Sequence, residues 1–158
     1  MRRGLIAALG LIGLAVGPGL LASAMAASKT PRKRAFSEIN VGAMISMSGL
    51  RFESVYRVKR SPDGGGAAIQ DGTVAGTTFP LNGRDAVTTY FADGVRRTED
   101  SFTLSPPHTD GTGTITGSGK CVGGTGIHKA EKCTYTITGT YNTNTTVVKI
   151  EITGTDTR

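Results

Sequence analysis

Few residues in this chain have side chains that do chemistry, and none of them forms a catalytic constellation. His108 follows Pro106-Pro107 and precedes Asp110. A His-Asp pair can act as a base with its orienter. No nucleophile is placed beside it, so a solvated loop histidine is the expectation. His128 lies between Cys121 and Cys133, the only cysteines, and is likewise expected at the surface, at a hairpin tip. A catalytic thiol needs such a base, but the second cysteine would oxidise it. In an oxidising compartment two cysteines at this spacing pair. A Cys121–Cys133 disulfide closing a short loop is expected to add about 3 kcal/mol. A structural zinc site takes four ligands, and His108 is remote in sequence from this pair, so no metal is expected.

The glycine-rich run Gly117-Ser118-Gly119-Lys120-Cys121-Val122-Gly123-Gly124-Thr125-Gly126 has the look of a phosphate loop. It fails the test. Thr114 stands where the phosphate-loop pattern needs its first glycine, and Cys121 replaces the Ser/Thr that would meet magnesium. The dinucleotide pattern fails as well, because Val122 occupies the last glycine position. No nucleotide or other cofactor is expected.

Three tyrosines, Tyr56, Tyr90 and Tyr135, are the best candidates for polar aromatics lining a ligand cavity. They must be positioned by strands, because helical periodicity is nearly absent. The chain holds 23 glycines, many threonines and no tryptophan. Short β-branched and aromatic runs separated by turn residues read as all-β. In Arg51 to Arg60, Phe52, Tyr56 and Val58 share one face, while Glu53 and Arg57 share the other and are expected to point outward. Val148, Ile150 and Ile152 alternate likewise. Strands are expected at 51–60, 85–92, 95–104, 114–118, 132–141 and 145–153, with one or two more over 67–79. Asp93-Gly94 is a strong hairpin signal. About eight short strands must hide their edges, and a single antiparallel eight-stranded closed β-barrel is the expected solution, with a sandwich as the alternative.

The N-terminus sets the compartment. Arg2-Arg3, the apolar run Gly4 to Leu21 and the small-x-small pattern Ala24-Met25-Ala26 read as a cleaved signal peptide over residues 1–26. The product is expected to be secreted or periplasmic, with no membrane span after cleavage. The chain carries 18 Lys+Arg against 12 Asp+Glu. Much of the excess sits at Lys29, Arg32, Lys33 and Arg34. Residues 27–36 therefore read as a basic, disordered leader able to make weak contact with anionic surfaces. No nucleic-acid partner is expected. Residues 37–158 form the barrel domain, and nothing in the sequence sets the oligomeric state.

Read with its flanks, the glycine-rich segment is more specific. Gly117-Ser118-Gly119-Lys120, then Gly123-Gly124-Thr125-Gly126, then Tyr135-Thr136-Ile137-Thr138-Gly139 resembles the C-terminal half of the dirigent and allene oxide cyclase-like β-barrels. The match covers residues 111–154. In those proteins a glycine-framed signature with an aromatic residue links two adjacent strands. Here Cys121 falls near the aromatic position, so Cys133 would replace an aromatic contact with a covalent one. The resemblance implies a barrel with an internal cavity. Its members include cyclases of fatty-acid epoxides, proteins that steer phenol coupling, and bacterial exported proteins without an assigned activity. Their catalytic residues do not map onto this sequence.

Three functions follow as expectations. The first is an exported barrel that binds a small apolar or phenolic ligand, without established catalysis. The second is an isomerase or cyclase on the same barrel. The third is an extracellular structural or interaction protein with a solid core. A cavity separates the third from the others. A carboxylate or histidine with a displaced pKa inside it favours the second.

Overall fold

The structure, a computed structural model, describes residues 32–158. The expected signal peptide, residues 1–26, and Lys29 lie outside the described residues. Eight strands form a closed, wholly antiparallel barrel in which each strand pairs with the next: β1 Lys33–Ser48, β2 Arg51–Arg60, β3 Gly66–Ala75, β4 Leu81–Phe91, β5 Gly94–Leu104, β6 Thr112–Gly124, β7 Lys132–Asn142 and β8 Val147–Thr157. β1 closes the ring by pairing with β8, from Lys33 opposite Thr157 to Ala43 opposite Val147. A single 3-10 turn, Gly126–His128, interrupts the β6–β7 connection. Among the described residues no helix is long and apolar enough to cross a membrane.

The up-and-down path gives the barrel two ends. The upper end carries the β1–β2, β3–β4, β5–β6 and β7–β8 connections. The lower end carries the β2–β3, β4–β5 and β6–β7 connections, the start of β1 and the end of β8. Strand alternation decides what faces inward. In β2 the buried residues are Phe52, Ser54, Tyr56 and Val58, and Glu53 and Arg57 point outward as expected. Ile152 is buried from β8, with Val148 and Ile150 half-buried on the same face.

Two interior zones result. Toward the upper end, Phe52, Val74, Leu81, Phe102, Ile115, Ile137 and Ile152 pack as one apolar cluster. The Phe52 and Phe102 rings meet edge to face, with centroids 5.7 Å apart. Burying each side chain of this size stabilises by about 1.5–3 kcal/mol. Toward the lower end the inward residues become polar: Glu38, Asn40, Gln70, Asp85, Thr89, Arg96, Thr98 and Asp100 are all buried.

One strand, β3, forms over the stretch expected to hold one or two. Two expectations need adjusting. The missing eighth strand is β1, whose first four residues fall in the stretch read as a disordered leader. Phe36 is buried, and the guanidinium of Arg34 pairs with Asp156 and Asp63 at 2.5 and 3.1 Å. An arginine committed to internal carboxylates contributes little to an anionic surface. β6 runs through the glycine-rich segment to Gly124, beyond the 114–118 expected. Finally, His128 is not a surface residue. It is fully buried beneath the 3-10 turn, stacked on Phe91 at 5.1 Å.

The lower end is held shut by ionic and covalent bonds. Arg158 donates to both carboxylate oxygens of Asp63 and to Glu131 Oε1 at 2.9 Å. Glu131 Oε2 accepts from His128 Nδ1 at 2.6 Å. Burial alone would raise the Asp63 pKa, but hydrogen bonds from Arg158 and Arg34 outweigh it and hold the group below its ordinary value. Nearby, Cys121 and Cys133 form the expected disulfide, with Cα atoms 4.9 Å apart, tying β6 to β7.

Candidate functional site

The barrel is hollow. A cavity of about 210 Å³ lies inside it. Its wall is the apolar cluster, and its lining extends upward through Met44, Phe79, Leu104 and Tyr141 to Met47, Thr143 and Thr146. Met47 is 56% exposed, so the cavity reaches solvent at the upper end. Its floor is the polar zone.

Asp85 and Asp100 dominate that floor. They face each other directly across the β4–β5 ladder. Strand parity turns both inward: Asp85 lies on the same face of β4 as Leu81 and Phe91, and Asp100 on the same face of β5 as Phe102. Two glycines make room for them. A Cβ at Gly119 would lie 2.1 Å from Asp100 Oδ1, and one at Gly72 would lie 2.7 Å from the Asp85 Cβ. Each aspartate ends a short hydrogen-bond chain. Tyr56 donates its hydroxyl to Gln70 Oε1 at 2.6 Å, and Gln70 Nε2 donates to Asp85 Oδ2 at 2.7 Å. Tyr135 donates to Asp100 Oδ1 at 2.5 Å.

Burial and proximity set the charge of the pair. Burial pushes the Asp85 carboxyl up to about 7, helped by the charge of Asp100 and opposed by the Gln70 amide. Burial also raises Asp100, to about 6, against the Tyr135 hydroxyl and the Arg96 charge. Two carboxyls this close in a low-dielectric site do not both ionise readily. The pair therefore keeps one proton into the neutral range, and Asp85 is the site that favours it. Burial raises the phenols of Tyr56 and Tyr135 above their ordinary value, so both remain hydrogen-bond donors.

The one cation among the described residues that line the cavity, Arg96, is already committed. Arg96 Nη2 donates to Glu38 Oε2 at 2.7 Å, and Asn40 Nδ2 donates to Glu38 Oε1 at 2.9 Å. The guanidinium also lies over the rings of Phe91 and Phe36, at 5.1 and 5.9 Å. Three buried polar atoms of the floor have no hydrogen-bond partner among the described residues: Asn40 Oδ1, Asp85 Oδ1 and Arg96 Nε.

Of the three tyrosines singled out from the sequence, Tyr56 and Tyr135 line the cavity. Tyr90 does not. It is 48% exposed on the outer wall, because it is one residue out of phase with Thr89 and Phe91. His108 is exposed in the β5–β6 loop, and Asp110 Oδ1 accepts from the backbone of Thr112 instead of orienting it. The strongest site residues, Asp85 and Asp100, were not found by sequence reading, although their parity with Leu81, Phe91 and Phe102 was available.

A second cluster, at the lower end, has the composition of a metal site. Ligand atoms of Asp63, His128 and Glu131 lie within 4.8 Å of one another. The Arg158 guanidinium bridges Asp63 and Glu131, and Arg34 adds a second positive charge on Asp63. The charge a metal ion would supply is already present, so this cluster is an ionic closure of the barrel.

Comparison with known protein families, with curated proteins and with solved structures finds no match. Fold and site together define a class: a small closed β-barrel with an internal cavity, apolar in its walls and acidic at its floor.

Proposed function

We propose that this protein is an exported binding protein for a small, largely apolar ligand held inside the barrel. The observation that carries this reading is the 210 Å³ cavity, open at the upper end and lined by side chains from all around the barrel. An engineered cavity of about 150 Å³ already admits benzene, and drug-sized sites run from roughly 300 Å³ upward. A single-ring molecule or short chain, phenols included, fits between these limits. The hollow interior weighs against a solid-core structural role. The Cys121–Cys133 disulfide is compatible with a compartment outside the cytoplasm. The resemblance to dirigent and allene oxide cyclase-like barrels agrees with ligand binding inside the barrel.

One observation favours a second reading, an isomerase or cyclase that moves protons. Asp85 and Asp100 have raised pKa values and face the cavity, which is how acid–base residues are arranged. Geometry alone supports binding first, since a proton-transfer role needs a substrate atom placed against the pair.

Titration with benzene and toluene, followed by methyl NMR of Ile115, Ile137 and Ile152, tests the binding reading. Saturable shifts confined to these residues are expected, and Ile137→Trp, which fills the cavity, should abolish them. Absence of any shift at the cavity methyls in the folded protein would leave the solid-core role standing.

A further inference from the structure

The acidic floor constrains the ligand beyond size. Asp85 and Asp100 bring two carboxyl groups to the base of an apolar cavity, while the only cation among the cavity-lining residues, Arg96, is held by Glu38 at 2.7 Å. The floor therefore lacks one positive charge for the pair. It also presents unused acceptors. Asp85 Oδ1 and Asn40 Oδ1 are buried without a partner, and Asn40 is only 7% exposed. Leaving a buried acceptor without a partner is costly, so a ligand that donates to it gains affinity. Aromatic rings stand close by. A Cβ at Gly72 would touch both the Phe52 ring and the Asp85 Cβ, and one at Gly119 would touch both Asp100 and the Tyr135 ring. Rings beside carboxylates form the surroundings that an organic ammonium prefers, since ring faces attract cations.

We propose that the ligand is an apolar amine, its protonated nitrogen seated against Asp85 and Asp100 and its hydrocarbon body against Phe52, Phe102 and Ile137. This rests on the binding reading above. A bare metal ion fits less well, because hard cations such as calcium take six to eight oxygens. The ammonium carries the charge that the floor lacks and donates N–H bonds to acceptors that have no partner. Its arrival displaces the proton held by Asp85: the carboxyl O–H breaks, the proton leaves to solvent, and both carboxylates face the ammonium. Binding should then strengthen as pH rises through the titration of the pair. The charged or titratable groups that face it are Glu38 from β1, Tyr56 from β2 and Arg96 from β5, with Tyr135 from β7. β3 contributes the neutral Gln70, while β6 and β8 contribute only apolar side chains to the lining.

The test uses three probes of one shape, 2-phenylethylamine, 2-phenylethanol and phenylacetate, titrated calorimetrically into the folded protein near pH 5 and near pH 8. The amine should bind about tenfold or more tighter at the higher pH, a change that linkage to the carboxyl pair requires. It should also exceed the alcohol there by about tenfold and release a proton, seen as a heat that varies with buffer. Asp85→Asn and Asp100→Asn should each erase the preference for the amine while retaining the alcohol. Alcohol binding equal to or tighter than amine binding near pH 8, with the alcohol still entering the cavity, overturns the amine and leaves the binding reading intact. Failure of all three probes, together with failure of benzene to enter, overturns both.

Discussion

The barrel holds two buried acidic clusters, and they differ in one respect. At the lower end, Asp63, Glu131 and Asp156 are matched by Arg34 and Arg158, with the guanidiniums hydrogen-bonded directly to the carboxylates. At the cavity floor, Asp85 and Asp100 face each other with no cation of their own. In the first cluster the matched cations hold Asp63 below its ordinary pKa; in the second, burial raises both groups. Acidic composition alone therefore does not mark a site. A compensated cluster closes a structure, whereas an uncompensated one at a cavity is available to a ligand.

The floor contains its own compensated pair, and breaking it should have the largest effect. Arg96→Ala leaves Glu38 buried without its cation, which typically costs about 3–5 kcal/mol. Denaturant unfolding measures it; a loss below about 1 kcal/mol would show that water reaches Glu38 and that the pair is not truly buried. Next comes the covalent tie at the closed end. Reducing Cys121–Cys133 should cost about 3 kcal/mol, because the bond constrains the unfolded chain. Unfolding with and without reductant decides, with free thiols counted after denaturation.

The uncompensated pair should behave in the opposite way. A carboxyl whose pKa is higher in the folded state than in the unfolded chain contributes stability below the unfolded value, near 3.8, and loses it as pH rises through about 6 to 7. The protein should therefore lose stability between about pH 4 and pH 8. Asp85→Asn should flatten that slope and raise Tm by a few degrees near pH 8. A variant less stable than the parent at pH 8 would show that the charged pair is compensated after all. The smallest effect belongs to the outer wall. Arg51 and Asp71 form an ion pair at 3.2 Å with both side chains more than half exposed. Arg51→Ala should change stability by less than about 1 kcal/mol, read by the same unfolding curves.

The same contrast explains what could be read from the sequence. Strands β2, β5 and β7 were legible because their inward residues include Phe52, Tyr56, Phe102, Tyr135 and Ile137, which give alternation its amplitude. β1 was not, because its inward set mixes Phe36 with Glu38, Asn40 and Gly42. Polar residues on the inner face cancel the hydrophobic signal, so a strand entering the floor reads as a loop or a charged tail. The expected count of about eight matches the barrel, although it allows one or two strands over 67–79 and omits β1. Tyr90 shows the other side of the problem: an aromatic residue was taken as the marker of the inner face, where Leu81 and Phe91 held the true parity. Asp85 would have followed from them. His128 gave no signal, because its burial depends on a 3-10 turn folding over Phe91.

The pairing of β1 with β8 sets an order in time. Residues 33–43 are made well before their partners, residues 147–157. Until the final strand has emerged, the ring has two open edges and the cavity has no seventh-to-first wall. Contacts of such long sequence separation slow folding relative to local ones. A chain still being synthesised cannot complete the barrel. Closure waits for the last strand, and with it comes Arg158, whose side chain completes the ionic seal at the lower end.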